Sequence, residues 1–128
     1  MSIVGEEWSM NPATISYWQK GKNNHDGFDS GVPQLMDFPL QQAIRDAVNE
    51  EEQWDRGLVK LYQTLADDFL YPDPMGLMLI ADNHDMSRLY PGVDGNFDRY
   101  KMAMTFLATT RGIPQMLYGT ELLMNAGA

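Results

Sequence analysis

The segment "LMLIADNHDMSR" (residues 77–88) runs from an apolar stretch directly into a polar one, and it decides the fold class of this chain. The apolar stretch, residues 77–81, is typical of a strand that is buried on both faces of a parallel sheet. Four polar residues, 82–85, follow it at the point where such a strand ends. The carboxyl ends of parallel strands lie at one edge of the sheet, and ligands bind at that edge. The segment therefore predicts an α/β fold with residues 83–85 at its ligand-binding edge.

The rest of the chain alternates short apolar segments with helical patterns, as a parallel α/β fold requires. Three further strand-like segments lie at "SIVGEEW", ending at Gly5, at "QLMDF" (34–38) and at "QMLYG" (115–119). Apolar residues recur at helical spacing in residues 40–48, 58–69 and 97–108. A long polar loop with one helical turn near residues 13–18 follows the first strand. We predict four strands with helices in the connections between them.

Composition narrows the classes of function. The 128 residues carry a net charge of −9, which disfavours nucleic acid or an anionic membrane as a partner. Because the chain has no cysteine, disulfides and thiolate metal sites are excluded. No apolar run approaches the ~18 residues of a membrane span, and the sequence around Gly5 interrupts any signal-peptide pattern. These features predict a globular chain without nucleic acid or membrane partners, and they leave its cell compartment open.

The tripeptide Asn-His-Asp occurs twice, at residues 24–26 and 83–85. The first copy lies in the polar loop between Lys22 and Gly27, a common setting for turn residues. The second copy follows a buried strand, where a capping cluster and a ligand site are equally compatible with the spacing. Glu6 ends another predicted strand and reaches the same edge. Two carboxylates and an imidazole at one edge are suited to acid/base chemistry on a polar substrate.

Three segments resemble motifs of the α-amylase family of glycoside hydrolases, in the order in which that family carries them. They are "IVGEEW" (3–8), "LIADNHDMSR" (79–88) and "RGIPQMLYGTE" (111–121). A fourth, "QLMDFPLQQAI" (34–44), resembles the neopullulanase and cyclomaltodextrinase branch. The resemblance implies a partial (β/α)8 barrel, strands five to eight, over residues 1–128 as a single fragment. It also implies cleavage of α-glucosidic bonds in starch-type glucans with retention of configuration.

The resemblance assigns a role to each matching residue. Glu6 matches the general acid/base, and Asp85 matches the carboxylate that stabilises the transition state. His84, with Asn83 beside it, matches a residue that hydrogen-bonds sugar hydroxyls. Trp8 matches an aromatic position that packs beside the sugar, although a core tryptophan fits the sequence equally well. Arg88 matches a position that is frequently basic, and we assign it to substrate binding.

The family's nucleophile lies on the fourth strand, in an arginine-any-aspartate pattern. No arginine in this chain is followed two positions later by aspartate, and a complete barrel takes ~250 residues. We therefore expect a fragment of a catalytic barrel that does not hydrolyse glucans alone. Because half a barrel leaves sheet edges and apolar surface uncovered, we also expect the isolated chain to form a homo-oligomer.

Two functions of other classes fit the sequence. The chain could be a non-catalytic α/β module that binds oligosaccharides through the same polar edge. It could also bind a metal through His25, His84 and nearby aspartates, which are suitable ligand types without a ligand-spacing signature. The family resemblance implies no cofactor for the chemistry. Calcium is compatible with a longer parent enzyme, and we identify no ligands for it here.

Overall fold

The computed structural model describes residues 2–125, which contain four short parallel strands. They are β1 (Val4–Gly5), β2 (Gln34–Leu35), β3 (Met78–Leu79) and β4 (Ile113–Pro114). β1 pairs with β2 and β3 pairs with β4, and a parallel bridge between Met36 and Met78 joins the two pairs. The order in space is therefore the order in the chain, as successive strand–helix units produce. The predicted α/β class is confirmed.

Helices occupy the connections between the strands. They are α1 (Pro12–Tyr17), α2 (Phe38–Asn49), α3 (Val59–Ala66), α4 (Leu89–Gly92) and α5 (Phe97–Thr109), with 3₁₀ turns at Asp67–Leu70 and Pro74–Gly76. The helices predicted from apolar spacing correspond to α2, α3 and α5, and the helical turn predicted in the long loop is α1. None of the helices within residues 2–125 combines the length and apolar character needed to cross a membrane.

Polar side chains determine where α2 and α5 begin. The Asp37 carboxylate accepts a hydrogen bond from the backbone N–H of Leu40 at 3.0 Å, and Pro39 occupies the first turn of α2. Asn96 caps α5 by accepting from the backbone N–H of Asp98 at 3.0 Å. These bonds satisfy backbone donors that the first helical turn leaves unpaired. Because Asp37 lies only two residues beyond β2, α2 begins almost directly after the strand.

Two clusters of buried side chains hold the helices to the sheet. The larger cluster joins β3 to α2, α3, α4 and α5 through Leu40, Ala43, Ile44, Ala47, Leu61, Leu79, Ala81, Leu89, Val93, Tyr100, Ala103 and Leu107. The smaller cluster consists of Ile15, Leu35, Tyr71 and Leu77. Ile80 lies between Leu79 and Ala81 and is also buried. Since successive strand residues face opposite sides, Leu79 and Ile80 are buried on opposite faces, whereas Met78 of β3 is half-buried.

The position of the fourth strand differs from the prediction. The sequence favoured "QMLYG" (115–119), but β4 is Ile113–Pro114, and the last ladder bond runs from the N–H of Gln115 to the carbonyl of Leu79 at 2.8 Å. Gly112 explains the earlier start. It has a φ of 94°, and a Cβ there would lie 2.7 Å from the carbonyl oxygen of Leu77. Glycine therefore lets the chain approach β3 before the predicted strand begins.

A buried ion-pair network connects three distant parts of the fold. The Arg111 guanidinium contacts Asp37 at 2.6 Å and Asp68 at 2.5 Å, so it links the start of α2, the turn after α3 and the segment before β4. The Asp37 side chain is 1% exposed. Burial raises the pKa of the Asp37 carboxyl above its usual range, although Arg111 opposes the shift. Asp37 is thus a structural carboxylate.

Replacing Arg111 with methionine should lower the free energy of unfolding by about 3 kcal/mol or more, because the change leaves the buried Asp37 carboxylate without a counter-charge. Urea denaturation followed by far-ultraviolet circular dichroism would measure the loss. Lys101→Met is the matched control, since Lys101 pairs with Asp98 at the surface and exposed pairs contribute at most about 1 kcal/mol. Equal losses in the two variants would contradict a stabilising role for the network.

Candidate active site

The two glutamates that follow β1 have different surroundings. Glu6 is exposed, and its Oε1 lies 3.5 Å from the side-chain nitrogen of Asn83. The Glu7 carboxylate instead accepts hydrogen bonds from the hydroxyl of Ser9 at 2.7 Å and from its backbone N–H at 3.3 Å. Glu7 is therefore engaged in the turn that leads to α1. Glu6 is the carboxylate of this pair that reaches the loop after β3.

Asn83 connects the ends of β1 and β3. It is 3% exposed, its side-chain N–H₂ donates to Glu6, and its Oδ1 accepts from the backbone N–H of Asp85 at 3.0 Å. The contact between Asn83 and Glu6 joins residues 77 positions apart. Both strand ends therefore meet at the same edge of the sheet, as the parallel arrangement predicts.

His84 and Asp85 form the exposed tip of the loop after β3. Their side chains are 70% and 55% exposed, and His84 Nε2 lies 3.4 Å from Asp85 Oδ2. Exposed imidazole and carboxylate groups at a strand end can exchange hydrogen bonds with a polar ligand. The structure therefore displays the second Asn-His-Asp copy with one buried anchor, Asn83, and two accessible side chains.

The first Asn-His-Asp copy closes a turn. Asp26 accepts hydrogen bonds from the Tyr17 hydroxyl at 2.7 Å and from the backbone N–H of Phe28 at 3.0 Å. The Asn24 side chain donates to the carbonyls of Tyr17 and Phe28, and His25 is exposed. The hydrogen bond from Tyr17 is the main reason that the pKa of Asp26 lies below its usual range. These contacts agree with the turn interpretation of residues 24–26.

Trp8 satisfies parts of both interpretations that the sequence allows. Its ring stacks on the fully buried Phe38 at a centroid distance of 4.7 Å and an interplanar angle of 16°. Even so, 40% of the residue remains exposed. One face of the indole thus belongs to the fold, and part of it remains accessible near the end of β1.

Arg88 lies inside the protein, whereas the sequence suggested a substrate-binding role. The residue is 8% exposed, and its Nε lies 3.6 Å from the buried carboxylate of Asp82. Asp82 also accepts a hydrogen bond from the hydroxyl of Thr120 at 3.1 Å. Sequence reasoning missed this set of contacts. The sequence feature that could have indicated these contacts is Asp82, a carboxylate directly after an apolar strand.

The alternative of a metal site requires a cluster of ligand side chains. Among residues 2–125, no group of three or more histidine, cysteine, aspartate or glutamate side chains is arranged to hold a metal ion. His25 and His84 lie in separate loops, and His84 has one carboxylate close to it, that of Asp85.

Comparisons of the sequence and of the structure with known proteins indicate the same protein family. The family model described as the alpha amylase catalytic domain matches residues 1–127. The cyclomaltodextrin glucanotransferase of Thermoanaerobacterium thermosulfurigenes is 32% identical over 117 residues, which are 87% of this chain and 16% of that protein. The match therefore spans about a sixth of the length of that relative.

Solved structures cover the chain almost completely. The alpha-amylase of Geobacillus thermoleovorans, determined in complex with acarbose, is 34% identical with a TM-score of 0.81, over 98% of this chain and 27% of that one. An alpha-amylase of Anoxybacillus is 28% identical with a TM-score of 0.78, over 98% and 26% of the two chains. The fold of residues 2–125 is that of a part of these larger proteins.

Proposed function

The chain belongs to the alpha-amylase catalytic-domain family, and from that premise we propose that it is part of a barrel that hydrolyses α-glucosidic bonds with retention. In this proposal Glu6 is the general acid/base and Asp85 is the carboxylate that stabilises the transition state. The contact between Glu6 and Asn83 is the observation that carries the proposal. It brings the end of β1 to the loop that displays Asp85, so the two carboxylates serve one ligand edge.

The surroundings of each residue fit its proposed role. Glu6 is accessible and turned toward the loop after β3, whereas Glu7 is bonded to Ser9. A carboxylic acid in this place can protonate the leaving glycosidic oxygen and later activate water. The Asp85 carboxylate can stabilise positive charge that develops on the sugar ring. His84 would hydrogen-bond hydroxyls, and the exposed part of Trp8 would pack against a sugar face. The sequence also suggested Asn83 for substrate binding, but Asn83 is 3% exposed and bonded to Glu6 and to the backbone of Asp85, so in this proposal it orients the loop.

We assign the nucleophile to a part of the barrel outside this sequence. A retaining mechanism needs a second carboxylate about 5 Å from the acid/base. Asp37 and Asp82 are unsuited to that task, because both are buried and held by arginine side chains. We propose that β1–β4 are strands five to eight and that a longer protein supplies strands one to four. On this proposal the 128-residue chain by itself forms no glycosyl–enzyme intermediate.

The proposed substrates are starch-type α-glucans. The relatives include cyclomaltodextrin glucanotransferases and an alpha-amylase bound to acarbose, which supports an α-glucan rather than another polysaccharide. Within this class, a preference like that of the neopullulanase branch rests on the resemblance of residues 34–44 alone. Reducing-sugar assays on starch, pullulan and cyclodextrins, made with a longer protein that contains this chain, would identify the preferred substrate. Robust hydrolysis by the 128-residue chain would refute the assignment of the nucleophile to another part of the barrel.

The isolated chain should associate into dimers or larger oligomers. In the described residues β1 and β4 lie at the two ends of the strand order, and apolar residues flank them, with Ile3, Met116 and Tyr118 exposed by 52%, 52% and 78%. Unpaired strand edges with apolar neighbours promote association. Light scattering coupled to size-exclusion chromatography at micromolar concentration would measure the mass. A well-folded monomer at these concentrations would contradict the expectation.

A charge placed beside the β1 edge tests where the association occurs. Ile3→Lys should shift the population toward monomer, because an inserted lysine at a strand edge opposes pairing with another chain. Trp54→Lys is the matched control, since Trp54 is 89% exposed in the loop between α2 and α3. If Trp54→Lys dissociates the oligomer and Ile3→Lys does not, the surface through which the copies associate lies near the loop between α2 and α3 and away from the β1 edge.

A further inference from the structure

Asp82 is a buried carboxylate at the base of the loop that carries His84 and Asp85. It is 2% exposed, and its Oδ2 accepts a hydrogen bond from the backbone N–H of Leu89 at 2.8 Å. This bond spans seven positions and closes the loop formed by residues 83–88. Asp82 therefore faces inward beneath a loop whose tip faces solvent.

The far side of the loop is tied to two neighbouring segments. Arg45 of α2 donates to the carbonyl of Ser87. Arg88 donates to the carbonyl of Tyr118, in the turn that follows β4, and its guanidinium lies 5.9 Å from the Tyr118 ring centroid. The Nε of Arg88 also lies 3.6 Å from Asp82. The loop after β3 is thus fastened to the helix layer and to the turn after β4.

Thr120 extends these contacts to α5. Its hydroxyl lies 3.1 Å and 3.3 Å from the two carboxylate oxygens of Asp82. Its backbone carbonyl accepts a hydrogen bond from the buried Tyr100 hydroxyl at 2.7 Å. Asp82 therefore accepts hydrogen bonds from both Leu89 and Thr120, and its carboxylate also lies beside the Arg88 guanidinium. Removing its charge would loosen the base of the loop at three places.

We propose that Asp82 is a positioning residue, which touches no substrate and holds the loop so that Asn83 contacts Glu6 and Asp85 stands at the tip. The inference rests on the proposed function, because it concerns the geometry of that site. Reactive groups must be held closely, and a misplacement of about 1 Å can cost ~10²-fold in rate. Side chains behind a site achieve this through hydrogen bonds that lock the loop. Arg88 belongs to the same support.

Asp82→Asn should lower the kcat of a longer protein that contains this chain by about tenfold or more, with KM changed less than about twofold. The amide keeps the size of the side chain, but it loses the charge that Arg88 neutralises and one of the two acceptor oxygens. Asp94→Asn is the matched control, since the Asp94 side chain is 89% exposed in the turn before α5. An unchanged kcat per folded Asp82→Asn enzyme would overturn the inference.

Hydrogen exchange in the 128-residue chain separates a local effect from general destabilisation. In Asp82→Asn the backbone amides of Leu89 and Asp85 should exchange at least tenfold faster, while amides in the middle of α2 keep their protection. Thr120→Val removes the same contact from the other side and should accelerate the same two amides. If Asp82→Asn does not fold, Thr120→Val tests by itself whether Asp82 positions the loop. A uniform loss of protection in Thr120→Val would overturn the positioning role.

The two proposals fail in different ways. Full activity in Glu6→Gln would refute the assignment of the acid/base and leave the loop geometry untouched. Normal kcat and unaltered exchange in the Asp82 and Thr120 variants would refute the positioning role alone. Faster exchange at all amides, with kcat per folded enzyme unchanged, would refute the positioning role and assign Asp82 to stability only.

Discussion

In a longer protein that contains this chain, Glu6→Gln should lower turnover of maltooligosaccharides by roughly 10²–10⁴-fold, the usual contribution of a general acid/base. The amide cannot donate a proton to the leaving oxygen. It has the size of the glutamate side chain, and its oxygen can still accept the hydrogen bond from Asn83. Initial rates from a reducing-sugar assay measure the change. Glu7→Gln is the matched control, because Glu7 is bonded to Ser9 in the adjoining turn, and it should alter turnover only slightly.

The identity of the leaving group provides a sharper test of Glu6. In an aryl maltooligosaccharide with an acidic phenol, the leaving group departs as the phenolate and needs no protonation. The first bond cleavage should therefore be far less sensitive to Glu6→Gln than cleavage of a natural glucan. A burst of phenol followed by slow turnover would indicate that Glu6 also activates water in the second step. Comparable losses for Glu6→Gln and Glu7→Gln on the natural substrate would contradict the assignment of the acid.

Asp85→Asn should lower kcat by roughly 10²–10³-fold with little change in KM, because the lost charge acts mainly on the transition state. The Asp85 side chain is accessible and lies beside His84, so the substitution should leave the fold intact. The same assay, with KM taken from the substrate dependence, measures the effect. Unchanged thermal unfolding would show that the loss is one of chemistry.

The first tripeptide supplies the control for Asp85. Asp26→Asn replaces an identical residue in an identical tripeptide, and it should leave turnover within about twofold. Asp26 closes a turn through Tyr17 and Phe28, and one such hydrogen bond contributes only about 1 kcal/mol to the loop. If Asp26→Asn damaged turnover as much as Asp85→Asn, the distinction between the two copies would be wrong.

Local patterns in the sequence were sufficient for most of the fold. Helical spacing of apolar residues predicted α2, α3 and α5, because burial of one face leaves a periodic trace in the sequence. The apolar run at residues 77–81 predicted a strand buried on both faces, and four of its five residues are buried, with Met78 half-buried. The fourth strand was placed too late, since the close approach of Gly112 to Leu77 depends on another strand.

The candidate site divides in the same way. The order of strands alone predicted that Glu6 and residues 83–85 share an edge, since parallel strands end on one side of a sheet. The sequence could not distinguish an accessible side chain from a buried one within the same motif. His84 and Asp85 are exposed, whereas Asn83 is buried between them and β1. That difference arises from packing against residues far away in the chain.

The sequence by itself determined the alternation of strands and helices, the family resemblance and the edge at which polar residues gather, because each depends on short-range patterns. Only the tertiary structure revealed that Asp82 and Arg88 are buried and contact the turn after β4. Their partners, Thr120 and Tyr118, lie 38 and 30 positions away and reach them only when β3 and β4 pair. A charged residue after a strand is suited to bind substrate or to support a loop, and its burial and its partners decide between these roles.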